Sequence, residues 1–179
     1  WLDDTARAYP VKIDPDMSVD GSDLLVFSFQ TSTYSVNRGD AILIGKGDAT
    51  MGQYDIYVKP QTLPTLQAGD AVVDARYTMQ PNGYYEGGRE DVQIDAHRIT
   101  GNWTGPTLVS GYIPSYSPYV EDYVIANADN CWVITEMVRG WYLGTYNNNG
   151  FVLKAGSSGM GYIQFINASG SNQPNLLIT

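Results

Sequence analysis

The side chains in this sequence best suited to chemistry are its tyrosines. Of the 14 in the chain, Tyr84 and Tyr85 fall in a Pro/Gly-rich stretch over residues 81–88 that reads as a loop. Tyr112, Tyr116, Tyr119 and Tyr123 recur among Pro114, Pro118 and several serines. A flat aromatic face beside hydroxyl and amide groups is what a sugar ring requires, since its C–H bonds stack on the ring and its hydroxyls bond at the edge. The same tyrosines could instead pack over a sheet edge. Other chemistry finds less support. His97 is the only histidine, and a Ser-His-Asp arrangement or a zinc site would need partners that the pattern does not supply. It alternates onto the polar face of a strand and reads as solvated. Cys131 is the only cysteine, so no intrachain disulfide forms; beside Trp132 it reads as a small buried apolar residue.

The acids are numerous, 19 Asp plus Glu, but none pairs in a pattern that marks a glycosidase, and the chain reads as non-catalytic. Asp14, Asp16, Asp20 and Asp23 could offer oxygen ligands to a structural calcium ion, although the glycine and final glutamate of an EF-hand loop are missing; a solvated acidic connector is the simpler reading. Arg38-Gly39-Asp40 spells an integrin-type tripeptide that an ordinary turn explains. Asn102-Trp103-Thr104 and Asn167-Ala168-Ser169 match the glycosylation sequon, which matters only in a eukaryotic secretory context.

With a net charge of −9 and a pI near 4.3, the chain would be repelled by a phosphate backbone, and it carries no basic cluster. Nucleic-acid binding is excluded on that ground. No apolar run is long enough to span a bilayer. A length of 179 residues suits one domain with a core of its own. The first residue is Trp1, which suggests a piece of a larger polypeptide, and the thiol-poor, acidic, Tyr/Gly/Asn/Ser-rich composition suits a secreted or surface-exposed bacterial protein.

Gly 19 and Pro 9 supply many turns, and short alternating runs lie between them, so the expected class is all-β. Residues 1–20 read as a lead-in, with Val11 and Ile13 alternating between Pro10 and Pro15 in an edge strand or connector. Residues 21–179 read as one module. The run over 24–29 is apolar enough to be buried on both faces. Strands are expected over 41–46, 54–59, 71–79 (Val73, Ala75, Tyr77 and Met79 on one face), 91–99, 161–166 and 176–178. The stretch over 131–155 holds the expected helix, near residues 135–143. Thr135 caps it, Glu136 stands in its first turn, Val138, Trp141 and Tyr142 form its apolar stripe, and Gly144 stops it. Asn147-Asn148-Asn149-Gly150 then turns the chain into a core strand.

Several blocks, in order, resemble the DNRLRE family of β-sandwich modules found in large bacterial surface proteins beside RHS/YD-repeat regions. They are Tyr9–Pro15 (YPVKIDP), Tyr57-Val58-Lys59 with Leu63-Pro64, the strand over 71–79, and Pro114-Ser115-Tyr116 with Val120-Glu121-Asp122-Tyr123. The most specific runs from Trp132 to Thr145 and on through Asn149-Gly150-Phe151-Val152-Leu153-Lys154. Tyr162-Ile163-Gln164-Phe165 and Asn172-Gln173-Pro174 close the series. The Trp-Asn-Asn that precedes a proline in that family is Gly111-Tyr112-Ile113 here, and Tyr54-Asp55 stands where an arginine often opens the central strand. The resemblance implies a jelly-roll-like sandwich of two antiparallel sheets with a short helix plugging one end. It implies a non-catalytic structural or adhesive module of a secreted or cell-surface protein. The alternative it leaves open is a carbohydrate-binding module that holds a polysaccharide through Tyr84, Tyr85, Tyr112, Tyr116 and Tyr119.

Overall fold

A computed structural model describes residues 16–30, 35–37, 41–46, 52–85, 92–105, 112–126, 130–156, 161–166 and 173–179. They form two antiparallel sheets packed into a β-sandwich. The strands are β1 (Met17–Asp20), β2 (Leu24–Gln30), β3 (Ser35–Asn37), β4 (Ala41–Lys46), β5 (Gln53–Pro60), β6 (Ala75–Met79), β7 (Pro81–Tyr85), β8 (Gln93–Arg98), β9 (Asp122–Ile125), β10 (Asn130–Val133), β11 (Phe151–Ala155), β12 (Gly161–Ile166) and β13 (Asn175–Ile178), with one helix, α1 (Thr135–Tyr142). The smaller sheet has the order β1-β13-β6-β10. The larger runs β7-β12-β4-β5-β11-β8-β9, with β2 also on β5 and β3 on β2. The chain passes repeatedly from one sheet to the other, and the all-β class that the turn-rich, alternating sequence suggests is the one observed. Residues 1–15, including the run over 9–15 and Asp14, and the Arg38-Gly39-Asp40 turn lie outside the described residues.

β5 is the hinge of the larger sheet. β2 pairs with it from Leu24↔Pro60 to Gln30↔Tyr54. β11 pairs with its middle, Val152↔Tyr57, and β4 joins for only two pairs, Gly45↔Tyr54 and Lys46↔Gln53. Beyond that joint β4 swings across the inner side of β2, where the Ser28 hydroxyl donates to the Leu43 carbonyl at 2.5 Å. Gly45 makes the swing at φ 137°, where a side chain would collide with the backbone of Gly161 on β12.

Alternation sorts each strand of the larger sheet into an inner and an outer set. Val26, Ile56, Val58, Ile94, Ala96, Phe151 and Leu153 point inward and meet Tyr77, Met79, Trp132, Leu176 and Ile178 of the smaller sheet. At the centre Tyr77 packs edge-on to Phe151, with ring centroids 4.9 Å apart, and lies 5.9 Å from Trp132. The Trp132 indole N–H donates to the Ile94 carbonyl at 3.0 Å, a directed bond from one sheet to the other. The outer set builds a second apolar cluster of Phe27, Phe29, Tyr57, Ile99, Trp103 and Val152. β2 is therefore buried on both faces, as its unbroken apolar run requires.

Helix α1 closes one end of the sandwich. It buries Met137, Val138, Gly140 and Trp141 and leaves Tyr142 half-buried, with its hydroxyl donating to Pro64 O at 2.7 Å. Gly144 ends it at φ 68°. Thr135 does not cap the helix. Ile134 holds the cap position with no side-chain bond, and Thr135 is the first helical residue. Its hydroxyl instead accepts from the Ala75 N–H at 3.0 Å and donates to Asp74 at 3.2 Å, tying the helix to β6. Arg139 adds bonds to the carbonyls of Val72 and Val73. The strand expected over 71–79 begins only at Ala75, and Val73 is 70% exposed. Asp74 and Thr179 exchange both backbone bonds, which extends the β13 register by one pair, and the Val73 N–H also donates to Thr179 O, so one carbonyl serves two successive N–H groups and the alternation stops there. Cys131 is half-buried, across from Thr78 on the smaller sheet.

Trp141 is 7% exposed and its indole N–H has no partner among the described residues. Trp141→Ala should therefore cost about 3–5 kcal/mol in urea denaturation. Trp141→Phe should cost less than about 1.5 kcal/mol, because it keeps most of the volume and removes an unpaired donor. Equal losses in the two variants would contradict the plug assignment.

Candidate functional site: the outer face of the larger sheet

The outer set of β5, β8, β9 and β11 forms a polar row beside the apolar cluster. Tyr123 on β9 is paired with Asp95 on β8, and Asp95 with Lys154 on β11. Lys154 forms an ion pair with Asp55 on β5. Each carboxylate is also held by the glutamine two residues before it, Gln53 to Asp55 at 2.7 Å and Gln93 to Asp95 at 2.6 Å. The pattern is Gln-x-Asp on both strands, and period-two alternation brings each amide beside its acid. Asp55 is buried beside the aromatic floor, its side chain 1% exposed, and Lys154 is 22% exposed.

Tyr116 lies over this row. Its ring is 5.0 Å from Lys154 Nζ and 5.4 Å from the His97 ring. The segment that carries it is fastened to the strand below by backbone bonds. Thr100 and Gly101 N–H both donate to Ser115 O, at 2.8 and 3.0 Å, and Ser117 N–H donates to Arg98 O at 2.8 Å. His97 fixes the next turn. Its Nδ1 stands 3.1 Å from the carbonyls of both Ser117 and Tyr119. Two carbonyls can only accept, so Nδ1 carries a proton. The sequence suggested a solvated His97. It is buried, because the 116–119 segment folds back over the polar face of β8.

Beneath Tyr116 lies Tyr57, fully buried between Phe29 and Trp103, with ring centroids 6.2 and 5.9 Å away. Its hydroxyl has no hydrogen-bond partner. Burial pushes its ionisation well above the usual tyrosine range, and the nearby Asp55 and Tyr116 add to this. Trp103 is anchored by its indole N–H to Asn149 O at 2.7 Å. A cleft of about 440 Å³ opens at the far end of the face, among Leu25, Phe27, Lys59, Gln61, Trp103, Thr104 and Gly105. Lys59 donates to Trp103 O there, and partial burial lowers its pKa.

The tyrosines proposed from sequence do not form one site. Tyr84 and Tyr85 belong to strand β7, not to a loop: Pro81 opens an edge strand that pairs with β12. Their side chains lie outside the described residues. β7 and β9 are opposite edges of the larger sheet, so Tyr84 and Tyr85 are separated by its full width from the 112–123 group. Tyr112 is half-exposed beside Gly101, and Tyr119 is 79% exposed at the turn that His97 holds. Tyr116 and Tyr123 alone flank the polar row. Lys154, Asp55, Asp95 and Tyr57 were missed by sequence reasoning, and the repeated Gln-x-Asp is the signal that pointed to them.

Asp16 accepts from Thr179 at 2.8 Å, Asp20 accepts from Ser18 at 3.2 Å, and Asp23 lies in the one-turn 3-10 helix between β1 and β2. Among the described residues no three His, Cys, Asp or Glu side chains converge as a metal site would require, and no helix is long and apolar enough to cross a membrane. No protein-family model and no curated protein matches the chain. The resemblance to DNRLRE-type modules thus rests on the residue blocks quoted above.

The buried tyrosines set an alkaline limit on stability. Burial raises the pKa of Tyr57 and of the fully buried Tyr77 in the folded chain, while the unfolded chain ionises near pH 10. Above that pH the unfolded state releases protons that the folded state retains, so stability falls as pH rises. Denaturation midpoints should drop above about pH 10, against the small rise with pH that Lys59 contributes because its pKa is lowered in the fold, and the drop should be shallower in Tyr57→Phe. An unchanged slope in that variant would show that Tyr57 ionises freely in the fold.

Proposed function

We propose that this chain is a non-catalytic module of a larger secreted or surface-exposed bacterial protein, and that it adheres by holding polysaccharide on the outer face of the larger sheet. The observation that carries the reading is the placement of Tyr116: 37% exposed, above a row that alternates carboxylate, ammonium and amide groups. An aromatic platform next to dense hydrogen-bonding groups suits a pyranose, whose faces are apolar and whose rim is hydroxylated. Tyr123, 56% exposed across from Asp95, extends the platform along the row by one strand. The order of sequence blocks resembling DNRLRE modules supports the placement in a large exported protein. Nothing in the row pairs a proton donor with a nucleophile on opposite sides of an open groove, which favours binding over hydrolysis.

The test is a polysaccharide pulldown and glycan-array screen with the intact chain, Tyr116→Ala and Tyr123→Ala. Loss of one stacking platform should weaken binding roughly tenfold. Tyr84 and Tyr85 substitutions, on the far edge, should leave it unchanged. Absence of binding to every polysaccharide would overturn the glycan reading and leave a structural spacer.

A further inference from the structure

Lys154 is set between two carboxylates on three adjacent strands: Asp55 on β5, in direct contact, and Asp95 on β8, its cross-strand partner. An isolated buried ion pair is a poor source of stability, because desolvating both charges offsets most of their attraction. Here the carboxylate is almost completely shielded from water, with Phe29 its cross-strand neighbour and Tyr57 close by on the same face, and Tyr116 covers the amine. Asp95 has one oxygen held by Gln93, while the other takes no hydrogen bond among the described residues. A nucleophile, a buried acyl carbon and a second carboxylate thus share one row.

We infer that Lys154 and Asp55 condense into an intramolecular amide, cross-linking β11 to β5. The amine in its neutral form attacks Cγ of Asp55 in its acid form. The Nζ–Cγ bond forms, and a Cγ–O bond breaks. One proton passes from the nitrogen to the departing oxygen, which leaves as water, with Asp95 assigned as the relay because it is the cross-strand partner of Lys154. No oxidant, reductant or activating group is consumed. Condensation removes both buried charges and closes a loop between positions 99 residues apart, which restricts the unfolded chain far more than a local link. The inference does not depend on glycan binding; it replaces the Lys154 ammonium and the Asp55 carboxylate of the row by an amide and leaves Asp95, Gln53, Gln93, Tyr116 and Tyr123 as the groups that meet a sugar.

Intact-mass spectrometry of the purified chain decides it. The expected mass is one water below that of the sequence, and trypsin should release a branched peptide joining the segments that carry Asp55 and Lys154. Lys154→Arg, which preserves the charge, should show the full sequence mass, as should Asp95→Asn. Each should melt about 10 °C or more below the linked chain. A wild-type chain at full mass overturns the inference. So does a water loss that survives Lys154→Arg, which would place it elsewhere, such as a succinimide. A link that forms as completely in Asp95→Asn overturns the role given to Asp95.

Discussion

The hydrogen bond from the Trp132 indole to the Ile94 carbonyl is the contact on which the rest of the sandwich depends. Apolar burial holds sheets together without direction, and close packing alone selects their alignment through shape. A buried donor aimed at one carbonyl adds direction, because a one-residue slip would leave both groups unpaired in a dry interior. Tyr77 and Phe151 pack against this fixed point from either sheet. With β8 held in place, β11 is fixed by its five-residue register with β8, and β5 by its pairing with β11.

The outer face inherits that register. Asp95, Lys154 and Asp55 stand in one row only because β8, β11 and β5 are aligned to the residue, and an offset of one would turn all three side chains into the apolar core. The polar row and the hydrophobic interior are therefore two readings of a single alignment. Tyr116 lies over the row by a different device, the backbone bonds of Ser115 and Ser117 to Thr100, Gly101 and Arg98, and His97 of β8 holds the turn that follows.

Much of the architecture was legible from periodicity. Strands β4, β5, β8 and β12 fall where alternating or unbroken apolar runs place them, and the stripe of Val138, Trp141 and Tyr142 locates α1. Legibility failed where tertiary contacts outweigh local pattern. The alternation over 71–79 looks like one strand, yet the Val73 and Asp74 N–H groups share the single carbonyl of Thr179, and regular pairing does not pass Asp74. Thr135 has the composition of a cap, but Ala75 and Asp74 compete for its hydroxyl. His97 looks solvated because nothing local announces that residues 116–119 return to cover it. The tyrosines of the candidate site were found by residue type alone, which cannot separate Tyr84 and Tyr85 on one sheet edge from Tyr116 on the other side. Lys154 and Asp55 lie 99 positions apart, and only the strand order reveals them as neighbours.

Strands β1 and β13 are antiparallel neighbours, with Met17 opposite Ile178 and Asp16 bonded to Thr179. The two ends of the described chain therefore emerge together at one corner. Tension applied at Asp16 and Thr179 would enter the sandwich at this one corner. It would load β1 and β13 as a zipper, one residue pair at a time, and not as a shear clamp that must yield all at once. The sandwich gives way at its own edge under modest force, while the pairing of β5, β11 and β8 lies off the load path and is spared.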